Sequence, residues 1–307
     1  IEISTKNPYI NQDMNATLIL KDGTKLTGQS FGANVASAGE VVFNTGMMGY
    51  PESFTDPSYT GQILTLTYPL IGNYGIGADN KDKDGIPKHF ESDKIRIKGL
   101  IVSEYSENFS HWDAKQSLSK WLKDNNIPAI TGIDTRALTQ KIRQHGTILG
   151  KIIPEKLIRA HGASAQRGKE SSSASSEPSE LTNKDIPFYN PDLDNLVSQV
   201  SIKKPKTYKR GKKRIICVDC GMKNNILRSF LNRDITVVRV PWNYDFIAKK
   251  EKFDGIFMSN GPGDPAMLTD LHAIIQKAMA LKKPIFGICL GCQIMALATG
   301  AKTYKLK

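Results

Sequence analysis

The hydrophobic pattern divides the chain into two regions with different periodicity. From residue 14 to about 155, short apolar stretches are broken by Gly and Asp, which is typical of strands with a few amphipathic helices. Asp22-Gly23 predicts a hairpin turn, and Asp134 is placed to cap a helix. The predicted strands are 16–20, 25–31, 40–43, 62–67 and 95–102, and the predicted helices are 116–122 and 135–144.

The second region begins near Arg214, where apolar runs alternate with helical patterns. Such alternation predicts a parallel sheet, whose active loops lie at the carboxyl ends of its strands. We therefore predict an α/β protein. The predicted strands are 214–218, 235–240, 253–258 and 285–288, and the predicted helices are 224–231 and 268–281.

Residues 156–212 separate the two regions and predict a flexible linker. This segment has a Ser-rich tract around 171–176, which cannot bury enough apolar surface to order itself, and several prolines. The run 203–214 carries eight positive charges and contributes much of the net charge of +12. Such a run can bind nucleic acid, but a solvated linker or a surface for an acidic partner is the more common role. The predicted domains are 1–155, 156–212 and 213–307.

Composition limits the location of the protein. No apolar run approaches the roughly 18 residues of a membrane span, and the first residues show no signal-peptide core. The four cysteines, Cys217, Cys220, Cys289 and Cys292, all fall in the last third of the chain, which suits a reducing compartment. We therefore expect a cytoplasmic protein with no membrane partner.

The segment Pro284–Gly300 carries the most informative chemistry. An apolar strand leads into Gly287-Ile-Cys289-Leu-Gly291 and then into a helix. This arrangement predicts a nucleophile elbow, with an exposed cysteine at the helix N-terminus and free N–H groups for an oxyanion. A buried structural cysteine is the alternative, but the flanking glycines favour the nucleophile. The Cys289-x-x-Cys292 spacing also resembles a redox dithiol, although the elbow explains the glycines better.

Two further features of the second region bear on its chemistry. The loop Ser259-Asn-Gly261-Pro-Gly263-Asp-Pro265 follows a predicted strand, and we expect it to supply a second oxyanion donor and a substrate wall. The two Cys-x-x-Cys pairs could together bind zinc, but their separation is far longer than in zinc ribbons. We expect no metal site.

Together, the elbow and this loop resemble the class I glutamine amidotransferases. The segment from Val42 to Gly75, with Gly132–Thr139 and Asp219–Asn225, narrows the resemblance to the small, glutamine-hydrolysing chain of carbamoyl phosphate synthetase. The resemblance implies a mixed β/α small-subunit domain, followed by a flavodoxin-like amidotransferase domain that is incomplete after the elbow.

The resemblance also implies roles for individual residues. Cys289 would attack the carboxamide of glutamine, and the N–H groups of Leu290 and Gly263 would form the oxyanion hole. Ser58, Gly261 and Gln293, with Gly263 and Leu290, would bind glutamine. Because Ser58 lies in the first predicted domain, we expect a site at a domain interface, although Ser58 alone resembles an ordinary turn residue.

Function and partners follow from the same resemblance. The ammonia would pass to a synthetase subunit or fused domain, which uses ATP, Mg²⁺ and bicarbonate; no cofactor is expected in this segment. The sequence Gly300-Ala-Lys-Thr-Tyr-Lys is similar to the multifunctional proteins of pyrimidine synthesis, so we expect UMP biosynthesis and a homo-oligomer of the full-length protein. The alternatives are a free small subunit of the arginine pathway and a non-catalytic docking or regulatory module.

Two positions depart from the family pattern. Cys292 stands where the family usually has His, outside the catalytic triad. The family's catalytic His and Glu follow the elbow in a segment absent from this chain, so we expect a fragment of a longer polypeptide that is inactive alone. Of the five histidines, only His272 falls in the amidase region, where a surface or packing role is the simpler interpretation.

Overall fold

The computed structural model describes residues 15–78, 80–155 and 186–304. The strands are β1 (Asn15–Leu20), β2 (Lys25–Ser30), β3 (Ser37–Asn44), β4 (Gln62–Leu66), β5 (Ile76–Gly77), β6 (Gly99–Val102), β7 (Ala114–Gln116), β8 (Ala129–Thr131), β9 (Ile148–Pro154), β10 (Lys206–Tyr208), β11 (Arg214–Asp219), β12 (Thr236–Pro241), β13 (Gly255–Met258) and β14 (Ile285–Gly287). The α-helices are α1 (Tyr50–Thr55), α2 (Leu118–Asp124), α3 (Thr135–His145), α4 (Leu196–Val200), α5 (Asn224–Leu231), α6 (Thr269–Met279) and α7 (Leu290–Ala298). Short 3₁₀ turns occupy Pro57–Tyr59, Pro191–Leu193 and Pro265–Met267.

A closed β-barrel forms the centre of the first of two compact units. Its strand order is β1-β2-β8-β6-β4-β3-β9. The pairs among β3, β4, β6 and β8 are parallel, and the other pairs are antiparallel. Because successive strand residues point to opposite faces, the inward-facing apolar residues share one core. This core includes Leu18, Ile63, Ile101, Ile130 and Ile152.

Local turn and cap signals in this unit are confirmed. The β1–β2 hairpin turns at Asp22-Gly23, where the Leu20 N–H donates to the Thr24 carbonyl at 2.9 Å and Gly23 adopts a φ of 90°. That φ is in the left-handed region, which glycine enters without steric cost. The Asp134 carboxylate accepts the Ala137 N–H at 2.9 Å and caps α3, as predicted.

The strand that closes the barrel was not predicted. β9 pairs with β1 on one side and β3 on the other, so it has no free edge. Its sequence contains Gly150 and ends in Pro154, which local patterns associate with loops. Gly150 is needed here because a Cβ would lie 2.5 Å from a methyl of Val41. The strand predicted at 95–102 is also shorter than expected, since β6 begins at Gly99.

The second unit contains a mostly parallel sheet, as predicted. Its strand order is β10-β12-β11-β13-β14, with β10 antiparallel to β12 and the other pairs parallel. Numbered along the chain, the parallel strands have the order 2-1-3-4 of a flavodoxin-like sheet. The switch point lies between β11 and β13, where such folds bind ligands beyond the strands' carboxyl ends. The expected α/β fold class is therefore confirmed.

The structure divides the chain differently from the predicted domains. The second unit comprises Met48–Gly61, Ala78–Ile97 and the described residues from Asn190 onward. Two segments assigned by sequence to the first domain thus belong to the second unit. Their contacts explain the difference: the Asn224 amide donates to the Phe90 carbonyl at 3.0 Å, and the Asn225 N–H donates to Glu91 at 2.9 Å. These bonds join 78–97 to the first turn of α5.

The predicted linker requires a further correction. Residues 156–185 lie outside the described residues, so the Ser-rich tract is not tested. The later part, however, contains α4 and the edge strand β10. This part also buries four apolar or aromatic side chains, those of Leu196, Val197, Val200 and Tyr208. Its many charged residues hid this contribution to the core from the sequence-based prediction.

The described helices are all short. Within the ranges that the structure covers, none combines the length and the apolar character that crossing a lipid bilayer requires.

Candidate active site

Cys289 lies at a sharp turn between β14 and α7. Its backbone has φ 51° and ψ −112°, a conformation that costs energy for any residue with a side chain, and it occupies the N-cap position of α7. The thiol is exposed. The predicted elbow geometry is therefore present: a strained turn presents the sulfur to solvent above the N-terminus of a nine-residue helix.

The two glycines beside Cys289 are required by close packing. A Cβ at Gly287 would lie 2.6 Å from the backbone carbon of Gly291, and a Cβ at Gly291 would lie 2.4 Å from the Met258 carbonyl oxygen. Both distances are far below a van der Waals contact. The glycines therefore let the elbow turn fold tightly against β13.

Two backbone N–H groups are available to an oxyanion. In the elbow, the Gly291 N–H donates to the Ile288 carbonyl at 2.9 Å, and the Cys292 N–H to the Cys289 carbonyl at 2.9 Å. Among the described residues, the N–H groups of Leu290 and Gly263 have no hydrogen-bond acceptor. They follow the adjacent parallel strands β14 and β13, at the same edge of the sheet.

The loop after β13 is fixed against the loop after β11. The Ser259 hydroxyl accepts the Cys220 N–H at 2.9 Å and donates to the Asn260 carbonyl at 2.7 Å. A Cβ at Gly261 would lie 2.0 Å from the Cys220 carbonyl oxygen, so only glycine allows this approach. The two loops that flank the switch point therefore form one rigid wall.

Ser58 reaches the same wall from an earlier part of the chain. Its hydroxyl accepts a hydrogen bond from the Asn260 side-chain amide at 3.0 Å, while its N–H donates to the Asp56 carboxylate at 2.9 Å. Because 48–61 belongs to the second unit, Ser58 and Cys289 lie in one unit. The expectation of a site where the two predicted domains meet stays a prediction.

Lys223 and Asp56 fasten this segment, and sequence reasoning gave them no role. The Lys223 ammonium lies 2.7 Å from the Asp56 carboxylate, and the backbone N–H of Lys223 donates to the Asn260 side-chain oxygen at 3.4 Å. Burial is the largest single influence and lowers the pKa of Lys223, but the charge and hydrogen bond of Asp56, together with the charge of Glu91, outweigh it, so the pKa is raised. The salt bridge therefore holds Ser58 beside Asn260.

A fully buried carboxylate, Asp219, organises the turn after β11. One oxygen accepts the N–H groups of Gly221 and Met222, at 2.9 and 2.8 Å. The other accepts from the Ile202 N–H at 2.9 Å and from Arg239, whose guanidinium lies 2.7 Å away. The available sequence signal was an acid directly after the apolar strand Ile215–Val218, since a buried acid in that position requires partners.

Gln293 and Cys292 lie on the first turn of α7. The Gln293 side chain is exposed, and the backbone N–H of Gln293 donates to the Cys289 carbonyl at 3.2 Å. The Cys292 thiol is also exposed and donates to the Gly287 carbonyl at 2.7 Å. Cys289, Leu290 and Gln293 thus share one turn, with Gly261, Gly263 and Ser58 on the loop wall.

His272 is engaged elsewhere in the structure. A ring nitrogen of His272 lies 2.9 Å from the Pro265 carbonyl oxygen, across the turn that precedes α6. This bond gives the residue a packing role, in agreement with the simpler interpretation of the sequence. Within the described ranges, no cluster of three or more His, Cys, Asp or Glu side chains is arranged to hold a metal ion.

Comparison with known proteins identifies both parts of the chain. Residues 18–152 match the model of the carbamoyl-phosphate synthase small chain, CPSase domain, and residues 216–307 match that of the class-I glutamine amidotransferases. Multifunctional protein CAD of Squalus acanthias is 48% identical over 95% of this chain and 12% of that protein. Multifunctional protein URA2 of Saccharomyces cerevisiae is 47% identical over 96% of this chain and 14% of that protein.

A third relative carries ammonia in its name. The mitochondrial carbamoyl-phosphate synthase (ammonia) of Homo sapiens is 42% identical over 95% of this chain and 18% of that protein. The chain thus spans 12% to 18% of the length of these three curated relatives. Residues 18–152 therefore belong to the carbamoyl-phosphate synthase small-chain family, and residues 216–307 to the class-I glutamine amidotransferases.

Proposed function

We propose that this chain is the glutamine-hydrolysing part of a carbamoyl phosphate synthetase. The observation that supports this most directly is the strained, exposed Cys289 at the N-terminus of α7. Its sulfur attacks the carboxamide carbon of glutamine, ammonia leaves, and a glutamyl thioester forms and is then hydrolysed. The N–H groups of Leu290 and Gly263 stabilise the oxyanion that develops in each step.

Ser58, Gly261 and Gln293, together with Gly263 and Leu290, are proposed to bind glutamine. The bonds from Asn260 and Asp56 hold Ser58 in a fixed position. Gly261 lets the loop wall approach Cys220 without a side chain in the way. A wall that is rigid before the substrate arrives reduces the entropy lost on binding, and it keeps the carboxamide near the sulfur.

Cysteine chemistry also needs a group that takes the thiol proton and returns it to the leaving ammonia. Among the described residues, His272 is bonded to Pro265 instead. The family resemblance implies a His with a Glu partner further along the polypeptide, and this stays a prediction.

The ammonia would be consumed by a synthetase subunit or fused domain, which binds ATP, Mg²⁺ and bicarbonate. Similarity to two proteins named multifunctional, together with the Gly300–Lys305 sequence, favours de novo pyrimidine synthesis in the cytoplasm over a free arginine-pathway subunit. Family membership alone does not fix glutamine as the nitrogen source, because one relative is named for ammonia. Cys289 is the residue that favours glutamine here.

Labelling with a glutamine-analogue alkylator, 6-diazo-5-oxonorleucine, tests this proposal in the complete polypeptide. We expect one label per chain at Cys289, prevented by excess glutamine, and ammonia release that the label abolishes. Cys289→Ser should lose both, while Cys217→Ala, at a buried thiol on β11, should retain both. A folded protein that takes no label and releases no ammonia would favour the docking module, which binds the synthetase without hydrolysing glutamine.

A further inference from the structure

We propose that Cys292 is a resolving thiol for Cys289, and that a peroxide converts the pair into a disulfide that reversibly blocks the nucleophile. The two residues are three positions apart at one helix N-terminus, and both are exposed. The loss of ammonia release on oxidation rests on the proposed function. Formation of the disulfide does not, because it depends only on the two thiols.

The backbone places the two cysteines within bonding range. The Cys292 N–H donates to the Cys289 carbonyl at 2.9 Å, so the two residues close the first turn of α7. Helix positions three apart have Cα atoms about 5 Å from each other. Disulfides form where the Cα atoms are separated by roughly 4.4 to 6.8 Å. The separation of the two Cα atoms therefore falls within the range that a disulfide requires.

The Cys292 side chain already lies against the elbow. Its thiol donates to the carbonyl of Gly287, two residues before the nucleophile, at 2.7 Å. Formation of the disulfide would exchange that single hydrogen bond for the S–S bond. A histidine at this position, which the family usually has, could not form the disulfide.

The chemistry balances with hydrogen peroxide as the oxidant. The Cys289 thiolate attacks one peroxide oxygen, the O–O bond breaks, and a sulfenic acid and hydroxide form. The Cys292 thiolate then attacks the Cys289 sulfur, the S–O bond breaks, and a second hydroxide leaves as the S–S bond forms. The two thiol protons convert both hydroxides to water, so two electrons pass from the sulfurs to peroxide.

The chain contains a second pair of cysteines with the same separation in sequence. Cys217 and Cys220 are also three residues apart, but both are fully buried. Burial raises the pKa of both thiols far above the usual range, which keeps them protonated and unreactive. They serve as a reference for buried, unreactive thiols and not for geometry, because Cys217 lies on the extended strand β11 and Cys220 in the turn after it.

The test treats the complete polypeptide with hydrogen peroxide and maps its thiols by mass spectrometry. We expect the peptide that carries Cys289 and Cys292 to lose two hydrogen atoms, while Cys217 and Cys220 remain reduced. Dithiothreitol should then restore most of the ammonia release. In Cys292→Ser the sulfenic acid has no resolving thiol and oxidises further, so reductant should restore less than about a tenth of the activity.

Each outcome has a defined meaning. A disulfide without glutamine-analogue labelling would uphold this inference and contradict the proposed function. Labelling without a disulfide would uphold the function and overturn the inference, and so would equal recovery in wild type and Cys292→Ser. Cys292→His, which restores the usual family residue, should behave like Cys292→Ser and shows that any difference does not come from misfolding.

Discussion

At the residue scale, the candidate site depends on positions where an added carbon atom would collide with the backbone. Gly287, Gly291 and Gly261 each leave less than 3 Å for a Cβ, and in each case the nearest obstructing atom belongs to the backbone. The exposed position of Cys289 requires a positive φ, which is an energetically unfavourable conformation for a residue with a side chain. The flanking glycines permit this conformation, so the nucleophile and its neighbours form one structural unit.

Gly287→Ala should therefore damage the elbow more than it damages the fold. A Cβ there would meet the backbone of Gly291 and Cys292 at 2.6 and 2.8 Å. We expect a loss of about 1–3 kcal/mol in the free energy of unfolding, and labelling of Cys289 at least about tenfold slower. Denaturant unfolding and the rate of labelling by 6-diazo-5-oxonorleucine measure the two effects.

Gly300→Ala is the matched control, because its Cβ would point into open space. It should cost about 1 kcal/mol through its positive φ and leave the labelling rate unchanged. Equal labelling rates for Gly287→Ala and wild type would contradict the packing argument for the elbow.

At the element scale, the sequence predicts structure well where the information is local. The hairpin at Asp22-Gly23, the Asp134 cap and the elbow glycines each impose a conformation on their own neighbours, and all three are observed. β9 and β10 were missed because partners distant in sequence stabilise them: β9 lies between β1 and β3, and β10 pairs with β12. Strand pairing between distant parts of the chain has little effect on the local spacing of hydrophobic residues, so that spacing does not predict it.

Asp219 shows how one side chain connects several elements. It bonds to the turn after β11, to the connector at Ile202 and to Arg239 on β12. Asp219→Asn leaves the Arg239 guanidinium without its partner, in a position where its side chain is only 15% exposed. We expect a loss of about 3 kcal/mol in the free energy of unfolding, measured by denaturant titration.

Lys277→Gln provides the comparison for this variant. Lys277 and Asp245 form an ion pair in the same unit at 3.8 Å, but the lysine side chain is 63% exposed. Its loss should change the free energy of unfolding by less than about 0.5 kcal/mol. If the two variants proved equally stable, Asp219 would not have the connecting role assigned to it.

The Asp22–Lys141 ion pair joins the β1–β2 hairpin to α3 and should make stability depend on pH. The hydrogen bond between the Asp22 carboxylate and the Lys141 ammonium, together with hydrogen bonds from Thr24, lowers the pKa of Asp22 from 3.8 to about 2. A carboxylate whose pKa is lower in the folded state stabilises the folded protein at pH values above its unfolded-state pKa. The contribution of Asp22 to the free energy of unfolding is therefore complete above about pH 4 and is lost as the pH falls toward 2. Because Asp22 is partly exposed, the contribution should stay below about 1 kcal/mol.

Asp22→Asn tests this contribution. Wild type should be the more stable protein at about pH 6, and the difference should disappear near pH 2. About 1 M salt should reduce the difference at the higher pH, since the pair is accessible to ions. A difference that stays constant across this range would show that the carboxylate charge is not the cause.

At the scale of the whole molecule, chain order and spatial grouping disagree. Met48–Gly61 and Ala78–Ile97 belong to the second unit although they precede most of the first. No local pattern indicates this, because the contacts that decide it, such as Asp56 with Lys223 and Glu91 with Asn225, join residues more than a hundred positions apart. The residue types at the site were predictable from sequence, whereas the unit that supplies Ser58 was not.

The distribution of charge over the molecule determines whether it binds nucleic acid. Within the basic run 203–214, acids of the same unit neutralise three cations: Arg210 lies 2.5 Å from Asp84, Arg214 3.3 Å from Glu251, and Lys213 3.6 Å from Asp254. Pairing of this kind lowers the density of positive charge that phosphates would meet, so the net charge of +12 overstates the attraction.

We therefore expect labelled single- and double-stranded oligonucleotides to bind with a Kd no tighter than about 10⁻⁴ M at about 150 mM salt, the weak end of non-specific association. A variant with Lys204, Lys209 and Lys212 replaced by Gln should bind equally weakly. Micromolar binding that falls steeply with salt, and that this variant loses, would show instead that the run is a phosphate-binding surface. The run would then have a function apart from glutamine hydrolysis, because its charges lie on the connector and β10, outside the loops that carry the candidate site.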